Sequence, residues 1–404
     1  MATSQTGGTY DVVLVGGGAA GITTAARIRN LLQNRNPKPR ILIIDPADNH
    51  FYQPIWTLVG GGVYPREVSV RKERDLIPAG VEWLQDAVTA IDPQANRVTT
   101  RQNAEILYRD LVVCPGLKLN WDKIPGLAES IGKDGVCSNY SYDTVESTWR
   151  NIREFKGGVA IFTQPSPPIK CGGAPQKIMY LADDYFRKSG VRNKTEIYFC
   201  SAAGNIFSVK KYADGLDRVI ERKGIKTRYK HNLIALRPEV KEAVFKNLDT
   251  NEEVVMHYDM IHVTPPQGPC DFLKNSPVSN ADGWVDVDKF TLQHVRYPNV
   301  FGLGDSSTLP TSKTGAAVRK QAPVAAQNLV AAMDGKPLTA RYDGYTSCPL
   351  VTGYKSLIMA EFDYDQKPEE TFPIDQGKER YSMYLVKKYV LPRLYWNFML
   401  KGKA

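Results

Sequence analysis

The sequence predicts an α/β chain with two Rossmann-like units and an amphipathic C-terminal region. Three observations carry that prediction. Near the N-terminus, "YDVVLVGGGAAGITTAARI" reads as an apolar strand, a glycine turn and an Ala-rich helix, with Gly16, Gly18 and Gly21 in the G-x-G-x-x-G pattern of a dinucleotide-binding turn. Apolar strands and helical stretches alternate again through the middle of the chain, the signature of a parallel sheet with crossover helices. Residues 379–404 interleave aromatic and aliphatic side chains with Arg380, Lys387, Lys388, Arg393, Lys401 and Lys403 against one acid, Glu379.

In chain order, the first strand and glycine turn lead to "RILIIDPAD", a second buried strand ending in Asp45. An acid at that point can bond a ribose hydroxyl. The loop "QNRNPKPR" makes the gap from the glycines to Asp45 slightly long. "LYRDLVVCPGLKLNW" is a strand ending at Pro115-Gly116. Residues 121–270 form the second unit: "GGVAIFTQ" as a strand, a helix from about 175, "TEIYFCSAA" as a strand, a helix near 210–223, then "IKTRYKHNLIAL". "YPNVFGLGDSSTLPTSKTGAAVRKQAPVAAQNL" returns to the first pattern, as strand, Gly-Asp, polar loop and helix. It offers Asp305 to a sugar hydroxyl and a helix N-terminus to an electronegative group. The first dinucleotide domain is thus expected in two parts, 1–120 and 271–345, with 121–270 inserted and 346–404 as a C-terminal region.

The chain has 404 residues, 42% of them hydrophobic, enough for two or three cored domains. Its formal net charge is +9. No Lys/Arg block resembles a nucleic-acid arm, so the charge is read as serving an anionic membrane surface or a small anionic substrate. "MATSQTGGTYDVVLVGGG" shows no apolar leader and no Arg-rich amphipathic one, so a secretory or transit peptide is not expected. No apolar run is long enough for a confident membrane span.

Six cysteines, at 114, 137, 171, 200, 270 and 348, make no CxxC and no zinc spacing, and no metal is expected. Cys114, Cys200 and Cys270 fit buried bystanders. Cys171 and Cys348 are flanked by Gly or Pro in polar surroundings. Cys171, in "PSPPIKCGGAPQKIMYL", stands where a second unit of this type would carry its own G-x-G-x-x-G. Its place ahead of Pro175 predicts a helix start, where free N–H groups stabilise a thiolate, and Lys170 and Lys177 add to that. Cys348 precedes Pro349 and can likewise begin a helix.

The segments "GGGAAG", "NHFYQPIWTLVG", "KCGGAPQKIMYL", "NVFGLGDSSTLPTSKT", "YDGYTSCPLVTGY", "AEFDY" and "ERYSMYL…LPRLYWNFML" together resemble the sulfide:quinone oxidoreductases of the flavoprotein disulfide reductase superfamily, in the branch that includes the mitochondrial enzymes. The resemblance covers nearly the whole chain. It implies FAD as cofactor, hydrogen sulfide and a ubiquinone-like quinone as substrates, and glutathione, sulfite or sulfide as sulfur acceptor. It makes Cys171 and Cys348 the redox-active pair. Gly16, Gly18, Gly21, Asp45, Gly116 and Asp305 match FAD contacts, Gln53 and Pro54 a segment beside the FAD, and Lys313, Thr314 and Gly315 a loop and helix start near the flavin. Lys387 matches a position near the quinone head. Cys137 lies near the third cysteine of another branch, and reads either as a spare thiol or as a flavin neighbour.

Three rival readings differ in class. A type II NADH:quinone dehydrogenase shares the fold but needs the second glycine motif. A flavocytochrome subunit would hand its electrons to a haem partner. A redox sensor would use the cysteines without turnover. The aromatic, basic C-terminus favours a quinone enzyme held on a membrane surface without spanning it, and the missing leader points to a prokaryotic cytoplasmic membrane, although a trimmed mitochondrial form would look the same.

Overall fold

The computed structural model describes residues 8–404. Strand β1 (Thr9–Val15) runs to the glycine turn and helix α1 (Ala19–Leu31), followed by β2 (Ile41–Ile44) and the long β3 (Glu105–Val113). β1 lies between β2 and β3, parallel to both, with Val12 opposite Ile41 on one side and Asp110 on the other. Val12–Val15 and Ile41–Ile44 are buried on both faces. That explains their unbroken apolar runs, because a parallel sheet is covered above and below.

The second unit begins with β4 (Gly158–Gln164), then α2 (Ala174–Lys188), β5 (Thr195–Ser201), α3 (Lys210–Lys223) and, after an antiparallel three-stranded sheet spanning 231–257, β6 (Met260–His262). β4 sits between β6 and β5, parallel to each. The chain then returns to the first sheet through β7 (Val300–Gly302), which pairs in parallel with β3, and α4 (Gly315–Met333) packs against α1. The first sheet thus takes strands from the chain on both sides of the second sheet. The three-stranded antiparallel sheet was not anticipated.

The C-terminal region differs from expectation in two ways. Thr346–Gly353 is a strand, β8, paired antiparallel with β9 (Ser356–Phe362), and Cys348 lies opposite Ala360. Cys348 therefore does not begin a helix. "TSCPLVTG" is rich in β-branched and apolar residues and is buried over most of its length. Pro349 is tolerated because a two-stranded ribbon has only edge strands. Beyond it, the aromatic tail folds as two short helices, α5 (Tyr381–Leu385) and α6 (Leu391–Asn397), joined by a wider π-type turn over Val386–Val390. Met383, Tyr384, Lys387, Tyr395, Trp396, Met399 and Leu400 pack inward, while Tyr381, Tyr389, Val390 and Phe398 stand about half exposed. Among the described residues, no helix is long and apolar enough to cross a membrane.

Candidate active site

The three glycines of the first turn have three different reasons to be glycine. Gly16 has φ +109°, and a Cβ there would sit 2.5 Å from the Cys114 carbonyl oxygen. A Cβ on Gly21 would lie 1.8 Å from the Gly16 carbonyl, so α1 can approach the strand only without one. A Cβ on Gly18 would meet nothing within 4 Å, which leaves room for a ligand over the helix N-terminus. Asp45 reaches back to this turn and accepts the Gly17 N–H at 2.6 Å. Gly116, at φ +80°, and Gly315, at the start of α4, also face open space. Gly304, Asp305, Lys313 and Thr314 line one recess at that helix start, and Thr314 caps it by accepting the Ala317 N–H at 3.0 Å. Open glycine faces at two helix starts, with carboxylates beside them, fit a dinucleotide that spans the first domain.

Cys171 sits beside the loop that leads into α4. Ten residues after β4 opens, no glycine turn has formed. The chain runs through Pro165–Pro168 to Cys171, and α2 starts only at Ala174 with Pro175 in its first turn. Cys171 itself has φ +49°, a left-handed conformation that a non-glycine residue adopts at a cost. It is held there from both sides. Its N–H donates to the Lys313 carbonyl at 2.9 Å, its carbonyl accepts from Ala174 N–H at 2.7 Å, and Gly172 N–H donates to Ser312 Oγ at 3.3 Å.

That clamp brings the two cysteines together across 177 residues of sequence, with Sγ atoms 3.6 Å apart and not bonded. Lys177 Nζ, one and a half helical turns on, is 3.4 Å from Cys171 Sγ. The Cys348 thiol and this ammonium hold Cys171 well below the ordinary thiol range, overcoming its burial. Cys348 is fully buried, and its proton, shared toward Cys171, is held more tightly than usual. Of the two sulfurs, Cys171 is therefore the more acidic and Cys348 the one that holds its proton more tightly. Ser312 Oγ, 3.8 Å from Cys348, completes the enclosure. Sequence reading missed Ser312, since an isolated serine in "PTSKT" carries no signal of its own.

Two further lysines converge on the same place. Lys170 Nζ donates to Gln53 Oε1 at 2.6 Å, and burial brings its ammonium down to about 8. Lys387, from the turn between α5 and α6, donates to the Pro54 carbonyl at 2.7 Å, and burial together with nearby Lys177 brings it to about 7. Gln53 and Pro54 thus tie the cysteine loop to the C-terminal tail. Lys313 donates to the Asp305 and Ser307 carbonyls at 2.7 and 3.0 Å.

The other thiols lie apart from this cluster. Cys137 ends a short strand beside β6, with its sulfur 3.6 Å from the Ile261 carbonyl, and burial pushes it up to about 12. Burial pushes Cys200 to about 12 and Cys270 to about 11. Cys114 is buried against the Gly16 carbonyl and is pushed up as well.

The family model "Pyridine nucleotide-disulphide oxidoreductase" matches residues 10–151. The chain is 51% identical over 394 residues to the mitochondrial sulfide:quinone oxidoreductase of Mus musculus, covering 97% of this chain and 87% of that protein. It is 49% identical to the mitochondrial sulfide:quinone oxidoreductase of Dictyostelium discoideum, again over 97% of the chain and 86% of the relative. The crystal structure of the Aquifex aeolicus sulfide:quinone oxidoreductase shares the fold, with a TM-score of 0.83 at 20% identity over 98% of this chain and 92% of that one. Both close relatives are named mitochondrial, which lends no support to the prokaryotic membrane expected from the sequence. Identity at this level over nearly its whole length means that the chain belongs to the sulfide:quinone oxidoreductase family.

Proposed function

We propose that this chain is an FAD-dependent sulfide:quinone oxidoreductase in which Cys171 and Cys348 form the sulfur-handling pair. The observation that carries the reading is the 3.6 Å approach of the two sulfurs beside Lys177, with the Cys171 loop bonded to Lys313 at the start of α4. Gly16, Gly18, Gly21, Asp45, Gly116 and Asp305 would hold the cofactor, with Gln53, Pro54, Lys313, Thr314 and Gly315 around its reactive end. Bound flavin supplies a two-electron store between sulfur and quinone.

The residues' own chemistry orders the cycle. In the oxidised pair, hydrosulfide forms a bond to Cys348 Sγ and the Cys171–Cys348 bond breaks. Cys171 leaves as thiolate because Lys177 stabilises it, and the lower-pKa thiol is the better leaving group. Cys348 is left as a persulfide. A nucleophilic acceptor (sulfite, glutathione or another sulfide) takes the outer sulfur and leaves a second thiolate. Closure of the two thiolates to the disulfide releases two electrons. Hydrosulfide is a small nucleophile, as attack on the buried Cys348 sulfur requires. Lys387 Nζ, near neutrality, can give a proton to a quinone as it is reduced. Cys137, buried and far above neutrality, is assigned no part.

The test is an anaerobic titration followed by flavin absorbance. Sulfide should bleach the flavin and an added short-chain quinone should restore it. NADH should leave it oxidised, because α2 opens on Cys171 and not on a glycine turn. Bleaching by NADH at the sulfide rate favours the dehydrogenase reading.

The membrane surface is assigned to the outward side of the tail. Tyr381, Tyr389, Val390 and Phe398 are 54%, 46%, 53% and 49% exposed, and Lys388 and Arg393 lie among them, as suits a headgroup boundary. Replacing Tyr389, Val390 and Phe398 together with serine should reduce cosedimentation with anionic liposomes by about tenfold or more. Sulfide-driven bleaching in solution should be unchanged. Undiminished liposome binding moves the membrane contact elsewhere.

A further inference from the structure

A second buried polar chain lies beside the glycine turn of the first domain. Glu73, 1% exposed, brings Oε2 to 3.1 Å from His50 Nδ1. His50 Nε2 lies 2.5 Å from the Tyr395 hydroxyl on α6. His50 and Tyr395 are themselves buried. The other Glu73 oxygen, Oε1, is buried with no hydrogen-bond partner. Its direction is given by Gly17: a Cβ on that glycine would lie 2.7 Å from Glu73 Oε1 and 2.9 Å from the Asp45 Cβ. The free oxygen and the Asp45 carboxylate therefore face the glycine turn from the same side. A buried acceptor without a partner is costly unless a ligand satisfies it.

We propose that Glu73, His50 and Tyr395 are a positioning relay that couples occupancy of the sugar end of the dinucleotide site to the seating of the C-terminal tail. The proposal rests on the reading that FAD occupies this groove. Asp45 already accepts the Gly17 and Ala47 N–H groups. A ribose diol offers two hydroxyls, and Glu73 Oε1 is the acceptor left over for one of them. A hydroxyl bound there fixes the Glu73 carboxylate, which fixes the His50 ring, which holds the Tyr395 hydroxyl. α6 is then anchored through a residue that also packs on Tyr52, with ring centroids 4.6 Å apart. Next to it, Trp396 lies under Arg71, whose guanidinium carbon is 4.3 Å from the ring centroid. The last residues run back onto the glycine-turn helix, where the Arg27 guanidinium donates to the Ala404 carbonyl. The tail that carries Lys387 and the outward apolar face is in this way best seated when the cofactor is present. Such a coupling is reciprocal: the factor by which FAD favours the seated tail is the factor by which the seated tail favours FAD.

The test uses the full chain, with and without FAD, and two readouts independent of turnover: the FAD dissociation constant, and the rate of tryptic cleavage after Lys388 and Arg393. FAD should slow cleavage of the tail in the native chain. Tyr395→Phe keeps the ring but removes the hydroxyl, and should weaken FAD binding by about fivefold to tenfold and shrink the FAD-dependent protection by the same factor. His50→Gln should do the same, and the double variant should be no worse than either single one. Tyr389→Ser, on the tail but outside the relay, should bind FAD as the native chain does. Native FAD affinity in Tyr395→Phe, or equal loss in Tyr389→Ser, overturns the relay. Sulfide-driven bleaching of the reloaded variants separates the two proposals. If FAD and tail are coupled but sulfide does not bleach the flavin, the proposed reaction fails and the relay stands; normal bleaching without coupling gives the reverse.

Discussion

Cys171→Ser abolishes sulfide-driven bleaching of the flavin while leaving the cofactor in place. The expected loss in stopped-flow rate is about a thousandfold or more, the scale seen when one member of a catalytic unit is removed. Serine keeps the size of the side chain and can hold the same left-handed backbone, since Lys313, Ala174 and Ser312 fix that loop through main-chain contacts. It cannot form the bond that hydrosulfide breaks, and it leaves no thiolate beside Lys177. Cofactor content should not change, because the turn at Gly16–Gly21 and Asp45 belong to elements separate from the Cys171 loop. Cys348→Ser should lose as much, by removing the sulfur that carries the persulfide. The double variant should lose no more than either single one, because the two sulfurs work as one unit. Cys114→Ser, Cys200→Ser and Cys270→Ser should bleach normally and cost at most some stability through packing. Fast bleaching in Cys171→Ser would sink the mechanism.

The contrast between the two cysteines shows what could be read from sequence and what could not. Cys171 was legible because its signal is local. A thiol ahead of Gly-Gly-Ala-Pro, in the place of a glycine turn, predicts a helix start, and α2 begins three residues later. The glycine turn, Asp45 and the α3 boundaries at Lys210–Lys223 were legible for the same reason. For Cys348, the local structure differs from the expectation. A proline after it suggested a helix, whereas the strand depends on a partner, Ser356–Phe362, that periodicity alone did not reveal. The tail was read as an amphipathic surface element. Half of it is that, but Lys387, Tyr395 and Trp396 are buried, because their partners at Pro54, His50 and Arg71 lie more than three hundred residues earlier. The alternation of a sequence reports a face, and only the fold reports what covers it. Glu73 lies in no motif, and His50, though it stands in "NHFYQPIWTLVG", was given no role there, because the meeting of the two is tertiary.

Lys387→Met should separate the two halves of the reaction. Its ammonium is drawn down to about 7 by burial, with Lys177 adding to the effect against the two sulfurs. At pH 6 most of the population is protonated at Nζ, and at pH 8 most is neutral. A quinone accepting two electrons also takes two protons, and a donor poised near the working pH is the efficient one. Enzyme first reduced with sulfide and then mixed with quinone should therefore reoxidise more slowly as the pH rises through about 7. In Lys387→Met that break should vanish, with the rate reduced on the order of a hundredfold, as for the loss of a general acid. Bleaching by sulfide should change far less, since Lys177 and not Lys387 touches Cys171. The fold should survive, and linkage says in which direction. A lysine whose folded value lies below its unfolded one binds fewer protons when folded, so its stability penalty is largest below pH 7 and fades as the pH rises toward 10. Methionine removes that penalty. The melting temperature of Lys387→Met should then equal or exceed the native value at pH 6. A variant that reoxidises at the native rate with an unchanged pH profile takes Lys387 out of the quinone step, and one that melts lower at pH 6 contradicts the burial argument on which its proton-donor role rests.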